Sequence, residues 1–452
     1  MKQQGFTLIE MMVATVIGLA AVTSVYALGS AMSEQFFMEQ RVASSQAASR
    51  VALMELRQDV SRAGLFGTPN ASLITGVNNR VDSSCDATVP ELPRLNTTDG
   101  PLGAFQFYED EDILVLDPGG DNPRARADRL RILTSLYLTE QLLLNSTDPS
   151  GTILVLQDGN QAYRRTFGWG AQSGPLSGPA DYLQGDLDWD AAWGGEAGSW
   201  NGIAMRGARA FQTGAMLHIE TPEGRHFFRS VFRKEGNVQN EIRLSIAPDR
   251  LPIGTACLPG AAEGSTVAPL QWVEYAIVDP TRDENGGTAD TLMPLVGVFA
   301  DNQGDFPDLA TTAPADLIEA PNRVLVRRML DSRNGDIRPN STQVIAEFVT
   351  HFQVSFIVDR RSGSTTLPPD LDIETDATVI NANPEIVRAV IIDLGIRSPF
   401  EDPSLDYQDI DPNGTNVVPT RWEIDPNARG SARVRNLHIE IPVMSVGRKN
   451  LG

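Results

Sequence analysis

Glu10 is the only charged residue between Phe6 and Met32, and a carboxylate in that setting has chemistry to do. The residues around it are apolar, and in hydrocarbon an ionised side chain is costly unless a partner meets it. Glu10 therefore either pairs with a cation or lies shallow enough to reach a polar surface. Upstream, Lys2 and a short polar leader end at Gly5. An ordinary secretory signal is cut behind its apolar region, after small residues. Here the junction suited to cutting, Gly5 to Phe6, precedes the apolar run, so the run stays with the mature chain.

Other residues invite weaker readings. Asp409-Ile-Asp411-Pro-Asn413-Gly414 opens like a calcium loop, where oxygens converge at a glycine turn. Position twelve of that loop is Thr420 rather than glutamate, so Asp406 or Glu423 would have to complete it. An Asx-rich turn uses the same residues and is the preferred reading, with calcium second. The four histidines, His218, His226, His351 and His438, lie singly in strand-like segments. No paired-histidine metal motif, nucleophile elbow, phosphate loop or dinucleotide fingerprint is present. These features read as no enzyme and no cofactor beyond that calcium.

The element that must position Glu10 is a helix. Phe6 to Met32 is 27 residues, ~40 Å of helix, and about 20 apolar residues span a bilayer. Lys2 keeps the N-terminus cytoplasmic and sends the chain after Glu34 to the periplasm. From Ser33 to Ala63 there is no proline and Gly64 is a natural stop. The apolar positions form two stripes: Met38, Val42, Leu53, Leu56, Val60 and Ala63, then Phe36, Ala43, Ala47, Val51 and Met54. Arg41, Arg50, Glu55, Arg57, Asp59 and Arg62 fall between them. Two apolar faces need two partners, the chain's own sheet and other helices. In an oxidising periplasm the two cysteines, Cys85 and Cys257, are expected to form a disulfide, which would contribute on the order of 5 kcal/mol.

Past Gly64 short β-branched segments alternate with turn residues. Strands are expected at 112–117, 129–133, 152–156, 216–220, 226–232, 241–246, 272–278, 323–329, 344–358, 386–394 and 433–446. One helix ahead of many strands is an α+β pattern with an antiparallel sheet. The expected organisation is a leader at 1–5, a membrane helix at 6–32, its periplasmic continuation at 33–64, a β-rich region with insertions at 65–270 and a C-terminal antiparallel β region at 271–452. A net charge of −21 argues against nucleic acid, which needs a basic surface.

The segment Gly5-Phe-Thr-Leu-Ile-Glu10 resembles the class III leader of type IV prepilins and type II secretion pseudopilins. Ser49 to Gly67, with Leu56-Arg-Gln-Asp59-Val-Ser-Arg-Ala63-Gly64, is similar to the helix end of PilW-type minor pilins. Looser likeness follows at 272–278, 324–328, 344–356, 387–398 and 433–442. The resemblance implies cleavage after Gly5, N-methylation of Phe6 and docking of Glu10 on a neighbouring subunit's N-terminal amine. It implies a pilin-like fold and a non-enzymatic subunit that primes or caps type IV pilus assembly near the filament tip. The implied partners are a prepilin peptidase, the inner membrane, other minor pilins and the major pilin. A J-like pseudopilin of type II secretion shares this plan, and a tip adhesin reading rests on the aromatic and glycine-rich stretch Phe167–Asn201.

Overall fold

A computed structural model describes residues 8–67, 103–111, 126–136, 141–148, 151–156, 211, 213–222, 226–235, 242–246, 264–278, 323–338, 341–361, 369–398, 421–422 and 431–443. The first helix, α1, is Leu8–Ser61, proline-free as its composition requires. The chain divides into two compact units, Met1–Val51 and Ala52–Gly452.

The helix closes with tightened hydrogen bonds, Arg62 N–H to Asp59 O and Ala63 N–H to Val60 O, both 3.0 Å. Gly64 then takes φ 71°, a conformation that favours glycine. Its N–H turns away from the helix and donates to Leu133 O at 2.8 Å. The expected stop at Gly64 is therefore where the chain leaves the helix and joins the sheet.

Sixteen strands follow among the described residues. Eleven form the first sheet: β1 (Phe105–Tyr108), β2 (Arg129–Thr134), β3 (Leu142–Thr147), β4 (Ile153–Leu156), β5 (Met216–Glu220), β6 (His226–Ser230), β7 (Arg233–Glu235), β8 (Ile242–Ser245), β9 (Thr266–Val278), β10 (Val324–Leu330) and β11 (Gln343–Ala346). The second sheet has the order β13-β12-β14-β16-β15, from β12 (Val349–Asp359), β13 (Leu371–Glu374), β14 (Val387–Arg397), β15 (Arg421–Trp422) and β16 (Ala432–Pro442). A short helix, α2 (Ala377–Ala382), sits between β13 and β14, capped by the Asp376 side chain on Thr378 N–H. Every strand pairing is antiparallel.

β9 organises the first sheet. Its first half pairs with β5 and β3, and from Gln271 onward it pairs with β2 and β10. Residues 270 and 271 thus lie within one continuous strand, at the point where its neighbours change. Different cores lie along the two halves, with Leu270 and Trp272 in a smaller cluster of their own. Leu142, Leu154, Leu217, Ile219 and Val267 belong to one. The larger joins the end of α1 to Leu130, Ile132, Val273, Tyr275 and Ile277, and to Phe352, Val354, Val390 and Ile392 of the second sheet. Phe105 and Phe107 meet Phe356 edge-on, with centroids 5.9 and 5.2 Å away.

Several expected strands differ from those observed. The run 344–358 is two strands, because Phe348 adopts φ 55° and breaks the extended backbone between β11 and β12. The run 226–232 ends early, at Ser230, and β7 begins beyond it at Arg233. The segment 112–117 lies outside the described residues. β1, β3, β7, β13, β15 and α2 were not expected.

Candidate assembly interface

The two ends of α1 are built differently. Leu8, Ile9, Met12, Val13, Val16, Ile17, Leu19, Val22, Val25, Tyr26, Leu28 and Met32 are all exposed, and at 100° per residue they encircle the helix. A helix that is apolar all round belongs in a core or a bilayer. Its hydroxyls turn back on the backbone: Thr15 Oγ1 donates to Met12 O at 2.9 Å, Thr23 Oγ1 to Leu19 O at 2.6 Å and Ser24 Oγ to Ala20 O at 2.7 Å. These bonds leave the hydroxyl protons needing no water, as hydrocarbon demands. Among the described residues, no helix is long and apolar enough to cross a membrane. The span expected over 6–32 is therefore not established by them. Within α1 the side chains at Glu10, Met11, Ala14, Ala27, Ser30, Ala31 and 33–49 lie outside those residues, among them Phe36, Met38, Val42, Ala43 and Ala47 of the expected stripes.

The other end is locked to the sheet. Leu56, Val60 and Ala63 are fully buried and Leu53 is half-buried against them, which bears out the C-terminal part of the first stripe, and Ala52, which the stripe omits, is fully buried as well. Asp59 departs from expectation. Sequence spacing places it between the apolar stripes, yet it is 5 % exposed. It stands three residues after Leu56 and four before Ala63, on the buried face itself. Its Oδ2 accepts from Tyr275 OH at 2.8 Å and from Arg327 Nε at 2.6 Å, so β9 and β10 each supply a donor. Burial, and then the Asp59 carboxylate, push the Tyr275 phenol well above its usual range, which keeps it a donor.

Further bonds hold the exit from the helix. Thr134 Oγ1 donates to Arg62 O at 2.7 Å and Arg62 Nη1 to Leu136 O at 3.2 Å. His218 Nδ1 lies 2.5 Å from Phe66 O. His218 Nε2 is in turn 2.9 Å from His226 Nδ1, so two histidines that read singly in the sequence form a pair across the β5–β6 hairpin. His438 instead meets Asp393 at 2.6 Å. On the β9 face opposite Tyr275, Glu274 accepts from Arg131 Nε and Arg328 Nε, both at 2.6 Å. Burial pushes that carboxyl up, but the two guanidiniums outweigh it and hold it below the ordinary range.

Glu10 lies within α1, its side chain outside the described residues. Gly5, Phe6, Cys85, Cys257, Asp409, Asp411 and Asn413 also lie outside them. No group of three or more histidine, cysteine or acidic residues that could hold a metal occurs among the described residues.

Val51 and Met54, from the second expected stripe, are 59 % and 71 % exposed. α1 thus presents one face to its own sheet, while these two side chains remain open. Residues 1–26 match the family described as the prokaryotic N-terminal methylation motif. No curated protein and no solved structure matches the chain. The N-terminus of this chain is a class III prepilin leader, the substrate type of a prepilin peptidase.

Proposed function

We propose that this chain is a PilW-like minor pilin, a non-enzymatic subunit that primes or caps type IV pilus assembly near the filament tip. The N-terminal methylation motif at residues 1–26 carries the reading. The all-round apolar start of α1 and its sheet-locked end support it, since a subunit pulled by its helix must transmit force to its head. After cleavage behind Gly5 and methylation of Phe6, the helix holds the subunit in the inner membrane. Glu10 then meets the N-terminal amine of a neighbouring subunit during docking. A head of this size is hard to repeat at every position of a packed helical array, which favours the tip. Cys85 and Cys257 form a disulfide in this reading. Calcium at Asp409, Asp411 and Asn413 remains second to an Asx turn.

The test is mass spectrometry of filaments sheared from the native cell. A peptide beginning at methylated Phe6 in the sheared fraction is the expected result. The same peptide confined to membranes would point to a type II secretion pseudopilin instead. Gly5→Leu is expected to abolish processing, read as an unshifted precursor on a gel. Thiol titration of the unreduced, unfolded protein should find no free thiol, and calorimetry with calcium distinguishes a bound ion from an Asx turn.

A further inference from the structure

A sheet edge exposes unpaired N–H and C=O groups, and proteins ordinarily close it. The edge strand β1 is closed by α2: Asn381 accepts from Phe107 N–H at 2.7 Å and donates to Phe107 O at 2.8 Å. β7, an edge of the same sheet, is three residues long, Arg233-Lys-Glu235. β13, an edge of the second sheet, is treated differently.

Arg360 N–H donates to Asp370 O at 3.0 Å, which fixes the phase of the β12–β13 ladder. Antiparallel pairing alternates, so Asp372 and Glu374 bond toward β12, while the backbone groups of Leu371 and Ile373 face outward. The Ile373 N–H is taken by Asp372 Oδ1 at 2.9 Å. The N–H of Leu371 and the carbonyls of Leu371 and Ile373 have no partner among the described residues. Leu371 and Ile373 are 56 % and 61 % exposed, the most exposed large apolar side chains beyond α1 among the described residues. On the opposite face of the strand Arg360 Nη2 lies 3.1 Å from Asp372 and 2.9 Å from Glu374. Asp370 and Asp376 flank the strand in sequence, so the edge is acidic, with two of its carboxylates, Asp372 and Glu374, sharing one guanidinium.

We propose that β13 is a docking edge for a strand of another protein in which apolar and basic residues alternate. Residues of an added strand that oppose Leu371 and Ile373 share their apolar face. Those that oppose Asp372 and Glu374 face carboxylates, and opposite-charge cross-strand pairs are favourable whereas like charges are not. A second copy of β13 would set Asp372 and Glu374 against carboxylates. With a net charge of −21 on each chain, self-pairing is disfavoured at long range as well. The proposal does not depend on which machine the leader serves.

The test uses the full chain in detergent and a fluorescent peptide alternating valine and lysine. A peptide of the same composition, with valines and lysines segregated, is the control. Anisotropy should show the alternating peptide binding at least tenfold more tightly. Leu371→Pro removes an outward N–H and puts a ring in the path of an incoming strand, leaving the β12 ladder intact. It should weaken binding tenfold or more with an unchanged melting temperature. If that variant fails to fold, Leu371→Lys with Ile373→Lys replaces it and should lose binding equally. Equal binding of the two peptides, no binding of the alternating one, or binding indifferent to both variants would overturn the proposal.

Discussion

The two ends of α1 are continuous in backbone and opposite in environment. Between Leu8 and Met32 the described apolar side chains are exposed on every side, and hydroxyls bond to the helix's own carbonyls. Between Ala52 and Ala63 one stripe is buried, and a carboxylate is held in its middle by a phenol and a guanidinium. Apolarity alone does not say what a helix packs against. The difference lies in whether polar groups are satisfied within the helix or by strands outside it. The first end suits a solvent that offers no hydrogen bonds, and the second suits a fixed protein partner.

Breaking the clamp at the second end should have the largest effect. Asp59→Ala leaves the Arg327 guanidinium and the Tyr275 hydroxyl without their acceptor, and breaking a buried pair in this way costs about 3–5 kcal/mol. Denaturant unfolding followed by circular dichroism measures it. Asp59→Leu combined with Arg327→Leu should recover much of the loss. A double variant as unstable as Asp59→Ala would mean that the ion pair is not what the helix end depends on.

A second buried aspartate has no guanidinium partner among the described residues. Asp128 links the two sheets, accepting from Asp110 N–H at 2.9 Å and Val354 N–H at 2.7 Å. No salt bridge to it occurs among the described residues. Burial raises its pKa to about 7; the two amides pull the other way, and the Asp110 and Glu109 charges add to the rise. The folded pKa lies above the unfolded value of 3.8, so between those values the folded state holds a proton the unfolded state has lost. Stability from this group is complete below about pH 4 and is lost as pH rises to about 7, by up to about 4 kcal/mol. Glu274, held low by Arg328 and Arg131, has the opposite sign and loses stability in acid. Asp128→Asn should flatten the decline between pH 4 and 7. Parallel unfolding curves for both proteins across that window would remove the assignment.

Two leucines of α1 give the next contrast. Leu56 is fully buried and Leu19 is 69 % exposed. Leu56→Ala should destabilise the unit 52–452 by about 3 kcal/mol, as core truncations do. Leu19→Ala should leave its unfolding midpoint unchanged. Equal losses at both positions would make the two ends of the helix one packing problem.

How far the sequence could be read follows the length of each pattern. The leader was legible because Gly5, Phe6 and Glu10 stand at fixed spacing beside an uninterrupted apolar run. β2, β5, β9, β10, β14 and β16 were legible because each holds five or more extended residues, many of them β-branched. Asp59 was read as lying between the stripes, although its spacing from Leu56 and Ala63 places it on the buried face. Its partners, Tyr275 and Arg327, are more than 200 positions away, and no local period encodes a contact of that range. The His218–His226 pair was hidden for a related reason: cross-strand proximity depends on hairpin register, and turn residues alone did not fix it. The closing of β1 by Asn381 likewise depends on a tertiary contact.

The smallest effect is expected where the comparison is most easily mistaken. Val51 and Met54 sit beside the buried stripe, and their apolarity suggests a second core. Both are mostly exposed, so Val51→Ser and Met54→Ser should each change unfolding free energy by no more than about 0.5 kcal/mol, the range of ordinary surface substitutions. Recovery in the sheared filament fraction should fall for the pair if this face meets other subunits. A loss above about 1 kcal/mol in the isolated protein would show instead that the chain covers these side chains itself. The sheet-locked end of α1 would then have two buried faces rather than one.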